Sequence, residues 1–187
     1  MRVSTTTFDS SIEQHVLAKV FAALDVLQAV APVQLERIPI LMLGLTVIPL
    51  GVVAAEWNSK LGMCMLDQAF VAAPDTSTER LASVLVHELT HARLAYAGFV
   101  CDGRTRARIE RICHLAERNF LLRLPPSNER SSIQRITAAW LEMDPAFWSD
   151  EQVEERLQEM VTSWPFWRRA LWRVVRLASA MHRRKAR

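Results

Sequence analysis

Residues 81–94, LASVLVHELTHARL, constrain the chain more than any other stretch. Apolar residues recur at Leu81, Val84, Leu85, Leu89, Ala92 and Leu94, at the spacing of one helical face. Into this apolar helix are set His87, Glu88 and His91. Polar side chains in such a helix are costly to bury unless the fold supplies partners. The two histidines are four apart, so they lie one turn above each other on one face and can reach a single metal ion. Glu88 then sits beside that ion without having to bind it, as H-E-x-x-H chemistry needs.

Helix signals flank the motif. Thr76 and Glu79 form a capping-box start after Pro74-Asp75, and Gly98 is the expected stop. A third ligand has to come from elsewhere. Leu94 and Ala97 stand where a glycine and a third histidine would follow in the metzincin pattern, so that pattern fails. The next candidates lie on a second predicted helix, residues 104–118, closed off by Pro125-Pro126. Ile109, Ile112, Cys113, Ala116, Phe120 and Leu124 form its apolar side. Glu110, His114 and Glu117, spaced four and three, share a stripe. Any of the three can close a zinc site, with Glu110 preferred over Glu117 and His114 third. His114 also fits as a donor near the metal or as a histidine satisfied by a neighbour. Cys113 projects to the apolar side and reads as a buried structural thiol.

Glu110 follows His91 after 18 intervening residues. With H-E-x-x-H and a glutamate that far downstream on a second helix, residues 72–125 resemble the gluzincin type of zinc metallopeptidase. The resemblance implies zinc held by His87, His91 and Glu110, with Glu88 as general base. It also implies a strand beside the active-site helix that binds substrate backbone as an extra strand, for which residues 62–72 are the candidate. The single tyrosine, Tyr96, lies five residues past His91, about 140° round the helix, and is poorly aimed to stabilise an oxyanion. That role stays open among His114, an arginine and a backbone group.

The rest of the chain frames this pair. With 187 residues, half of them hydrophobic, one sizeable core is within reach. Residues 8–30 read as an amphipathic helix burying Ile12, Val16, Val20, Leu24, Leu27 and Val30, with His15 solvated. The uncharged run 38–55 is just long enough to span a bilayer. Pro39, Gly44, Pro49 and Gly51 interrupt it, and buried strands at 40–43 and 45–48 are the better reading. Residues 63–66 and 69–72 are further strand candidates, and 131–143, 151–162 and 166–182 are helices. The expected class is therefore mainly α with a small β-sheet, an α+β fold in one domain.

Three cysteines without a C-x-x-C, and a polar opening in place of a secretory signal, lead to the expectation of a reducing cytoplasm. Eight of the 23 basic residues lie from residue 168 onward with no acid among them, leaving 15 against 20 acids before it. An acidic body thus carries a basic, Trp-bearing C-terminal helix over residues 165–187. Trp167, Ala170, Leu171, Val174, Ala178 and Met181 fall on one face of it. Docking against the body is the first expectation for this helix. Contact with a protein or a membrane surface comes second, and nucleic acid is the least favoured partner. The function expected is hydrolysis of a peptide bond in an intracellular protein or peptide. The competing reading is an idle metallopeptidase-like module that keeps the helix pair as a scaffold for interaction.

Overall fold

A computed structural model of the chain describes residues 2–5, 10–51 and 53–162. The expectations for the basic C-terminal helix fall outside them. Two compact units divide the chain, one over Met1–Ser149 and one beginning at Asp150. In the second, α7 (Asp150–Thr162) opens on two acids, Asp150 and Glu151, as suits a helix N-terminus.

The first unit is α+β. Its order is β1 (Arg2–Thr5), α1 (Ser10–Val30), α2 (Pro32–Leu41), β2 (Gly44–Ile48), β3 (Ala55–Asn58), β4 (Met63–Asp67), α3 (Gln68–Ala72), α4 (Thr78–Tyr96), α5 (Arg106–Leu121), α6 (Asn128–Leu141) and a 3₁₀ turn at Pro145–Trp148. The strands form one mixed sheet in the order β1-β2-β4-β3. β2 runs parallel to both β1 and β4, and β3 runs antiparallel to β4. Period-2 alternation sends Leu45, Val47, Cys64 and Leu66 to one face, where all four are fully buried. Ala55 and Trp57, directly opposite Leu66 and Cys64, extend that face. The core there is completed by Val16, Val20 and Leu27 of α1 and by Leu81, Leu85 and Leu89 of α4.

Several expectations shift. Residues 40–43 belong to the end of α2 and the turn after it, because Leu35, Ile38 and Met42 follow a helical spacing that turns them inward. Residues 69–72 form the short helix α3, since Asp67 caps it: its Oδ2 accepts from the Phe70 N–H at 3.0 Å. Asp67 Oδ1 also accepts from the N–H groups of Leu50 and Gly51, which ties down the loop after β2. The cap of α4 is Ser77 rather than Thr76, with Ser77 Oγ accepting from Arg80 N–H at 3.1 Å and donating to Glu129 Oε1 at 2.7 Å. Gly98, at φ +86°, ends α4 as expected, and the Phe99 N–H reaches back to the Leu94 carbonyl. Among the described residues no helix is long and apolar enough to cross a membrane.

Candidate metal centre

Five histidines occur in the chain, and three of them, His87, His91 and His114, meet between α4 and α5. His15 is exposed on α1, as its sequence context suggested. On α4 the repeat of four carries Ser83, His87 and His91 down one side, while Glu88 is buried on another. α5 lies against it and turns Glu110, Cys113, His114 and Glu117 toward the same seam.

Distances sort these groups. The Nε2 atoms of His87 and His91 stand 3.2 Å apart. Glu110 faces both, with Oε2 at 3.3 Å from His87 Nε2 and Oε1 at 3.5 Å from His91 Nε2. Ligand atoms about 2.0–2.1 Å from a tetrahedral zinc are separated from one another by about 3.3 Å. The three contacts are of that length, with Glu110 meeting one histidine through each of its two oxygens. Two groups of residues here could hold a metal ion, His87 with His91 and Cys113, and His87 with Glu110 and His114.

Glu117 sits on the other side of His87. Its Oε2 is 3.7 Å from His87 Nδ1 and 3.1 Å from His114 Nδ1. Its Oε1 is 3.1 Å from Ser83 Oγ, a hydroxyl that also lies 2.9 Å from the Arg80 carbonyl. A carboxylate at Nδ1 fixes the imidazole's orientation and leaves Nε2 for the metal. His114 packs its ring edge-on to His87 at 4.6 Å between centroids and stacks within 3° of parallel on Trp140 at 5.7 Å. Trp148 closes around it at 6.2 Å. Of the three candidates on α5, Glu110 thus meets the Nε2 pair and Glu117 lies behind His87, while His114 touches Glu117 and the aromatic wall and also belongs, with His87 and Glu110, to a group that could hold a metal ion.

The electrostatics follow from this crowding. Burial alone would lower the His87 pKa, but the Glu110 and Glu117 carboxylates around it raise it to about 10. Glu110 is held below the usual carboxylate range: burial would raise it, but hydrogen bonding to His87 and His91 outweighs that. Glu117 comes down to about 2, where burial is overcome by His114 and His87. Burial pushes Glu88 up, against the nearby His87 and His91 charges and a hydrogen bond from the Trp57 main-chain N–H.

That last contact locates the strand beside the centre. The Asp67 N–H bonds to the Ala54 carbonyl, which makes 54/67 and 56/65 the hydrogen-bonded pairs of the β3–β4 ladder. The main-chain groups of Ala55 and Trp57 therefore point away from β4, off the side of β3 that pairs with no further strand among the described residues, and the Trp57 N–H there meets Glu88. The expected strand at 62–72 does not supply this edge. β4 lies between β2 and β3 with both sides paired, and residues 68–72 are helical. Tyr96 is 77% exposed.

Two contributions escaped the sequence reading. Ser83 was visible as one turn before His87, but only the fold shows that it touches Glu117. Cys113, fully buried as expected, is not merely apolar filling: its Sγ lies within 4.8 Å of ligating nitrogens of both His87 and His91. Its spacing of three from Glu110 was the available signal. Comparisons with protein-family models, curated proteins and solved structures give no match to this chain.

Proposed function

We propose that the protein is a zinc-dependent metallopeptidase of gluzincin-like type, with His87, His91 and Glu110 as metal ligands and Glu88 as general base. The observation that carries this reading is that His87 Nε2 and His91 Nε2, 3.2 Å apart, each face an oxygen of the Glu110 carboxylate, at 3.3 and 3.5 Å, separations of the length found between ligand atoms in a tetrahedral zinc site. Three protein donors leave a position for water, and zinc bound there would supply acidity to that water and polarise a carbonyl.

The chain's own groups do the rest. Glu117 holds His87 by its Nδ1 side, and His114 and Ser83 hold Glu117. Glu88 accepts the proton of the attacking water and returns it to the leaving amine. Burial, which raises Glu88 from the usual carboxylate range, brings its proton affinity closer to what that exchange requires. The outward-pointing main-chain groups of Ala55 and the Trp57 carbonyl favour an extended peptide as substrate, paired to the sheet edge through its backbone beside the Trp57 N–H that holds Glu88.

The test is metal analysis together with hydrolysis of a peptide library by the full chain. About one zinc per chain, and cleavage abolished in Glu88→Gln with zinc retained, is the expected result. Undiminished cleavage by Glu88→Gln would remove Glu88 from the role of base.

A further inference from the structure

α5 offers the centre more donors than a three-ligand site uses. Glu110 and Cys113 are one turn apart on the same helix, and both face His87 and His91. The Cys113 side chain has no exposure to solvent, so what it meets is the seam itself. Its sulfur and one ligating nitrogen from each histidine all lie within 4.8 Å of one another. In a tetrahedral zinc site, N and S donors at about 2.05 and 2.3 Å from the metal stand about 3.6 Å apart. The bound of 4.8 Å exceeds that separation by about 1.2 Å, so the sulfur needs an adjustment of about that size at most to stand at ligand distance from both nitrogens.

We propose that Cys113 is a fourth protein donor to the metal held by His87, His91 and Glu110, giving the centre a closed resting state as well as an open one. This rests on the metallopeptidase reading above. In passing to the closed state, the Cys113 S–H bond breaks, a sulfur–metal bond forms, a water leaves the metal and the proton goes to the buffer. No oxidant is involved. Four protein ligands are the mark of a structural zinc site, three of a catalytic one. Cys113 thus decides which of the two this centre is at a given moment. A thiolate in the set also favours softer ions, so cadmium gains on zinc.

Cobalt(II) reports the sulfur directly, because thiolate ligation adds an intense near-ultraviolet charge-transfer band that nitrogen and oxygen ligands do not give. The full-length protein is loaded with cobalt(II) alone. The expected spectrum shows that band, lost in Cys113→Ser and Cys113→Ala and kept in Cys64→Ser and Cys101→Ser. Competition should show the cadmium-over-zinc preference falling about tenfold or more in Cys113→Ser. Cobalt bound with visible ligand-field bands but no charge-transfer band in the unaltered protein overturns the proposal and leaves the metal centre standing. So does a band that survives in both Cys113 variants. Failure of the unaltered protein to take up cobalt or zinc at all removes the metallopeptidase reading itself. Because the unaltered protein can refute the idea, a Cys113 variant that misfolds does not shelter it.

Discussion

At one end of the α4–α5 seam Glu110 faces the Nε2 atoms of both motif histidines; at the other, Glu117 faces the Nδ1 side of His87 and shares an oxygen with His114. The two carboxylates are seven residues apart on one helix and both are held below their usual pKa by histidines. In chemical type and spacing they are interchangeable. What separates them is which nitrogen of His87 each one meets. On the proposed reading one end shares a metal and the other holds a ring still. Sequence spacing places both on the seam, but only packing decides which end of an imidazole a carboxylate reaches.

The largest effect that sharpens this contrast belongs to the metal end. Glu88→Gln should lower peptide hydrolysis by roughly two to four orders of magnitude while zinc content is unchanged. Rate and metal stoichiometry measured on the same preparation separate loss of the base from loss of the ion. Next come the two carboxylates themselves. Glu110→Ala should weaken zinc binding by well over about 100-fold, as loss of one of three ligands, and Glu117→Ala by about 10- to 100-fold, as loss of support. Chelator competition ranks them, and the reverse order would exchange the two ends.

A pH effect tests the ends together. In the metal-free protein His87 keeps its proton up to about pH 10, so zinc must displace that proton to bind at neutral pH. Affinity for zinc should therefore rise about tenfold per pH unit between 7 and 10 on this account alone. Titration calorimetry in buffers of different ionisation enthalpy should show about one proton released at pH 7 from His87, and a second to the extent that Cys113 joins the metal. The sign for folding is opposite. His87 is raised above its unfolded value near 6.5, so the stability it gives the metal-free chain is complete below that pH and is lost as pH rises through about 10. Glu117, lowered to about 2, contributes above its unfolded value near 4.3 and loses that contribution as pH falls through about 2. These are two views of one shared contact and are not added. Glu117→Gln should lower the His87 pKa and flatten the zinc profile.

Much of this arrangement was legible in the residues. The helix carrying His87, Glu88 and His91, its stop at Gly98, and the second helix carrying Glu110 follow from apolar spacing and end signals that agree with one another. The sheet was harder. In residues 38–72, short apolar runs have no period long enough to tell a helix end from a strand, so 40–43 and 69–72 read as strands. The deciding features there are side-chain caps and burial, as with Asp67 starting α3. The edge strand was misplaced for another reason. Which strand is an edge depends on long-range pairing, and Ala55–Asn58 has too little alternation to advertise itself. Cys113 was judged by its apolar neighbours, yet the same turn of helix that buries it points it at the histidines.

The smallest effect lies furthest from the metal, at Ser83. Its hydroxyl is fully buried, 3.1 Å from Glu117 Oε1 and 2.9 Å from the Arg80 carbonyl. Removing a hydrogen bond to a buried charged group costs about 1.5–3 kcal/mol. Alanine returns about 0.5 kcal/mol of helix propensity at the same position. Glu117 keeps His114 as a partner through its other oxygen, so it is not left bare. Ser83→Ala should therefore destabilise the folded chain by about 1–2 kcal/mol in a urea melt and weaken zinc binding only a few-fold. A loss of zinc affinity as large as that of Glu117→Ala would mean that the hydroxyl, rather than His114, fixes the carboxylate. The supporting end would then run through α4 alone.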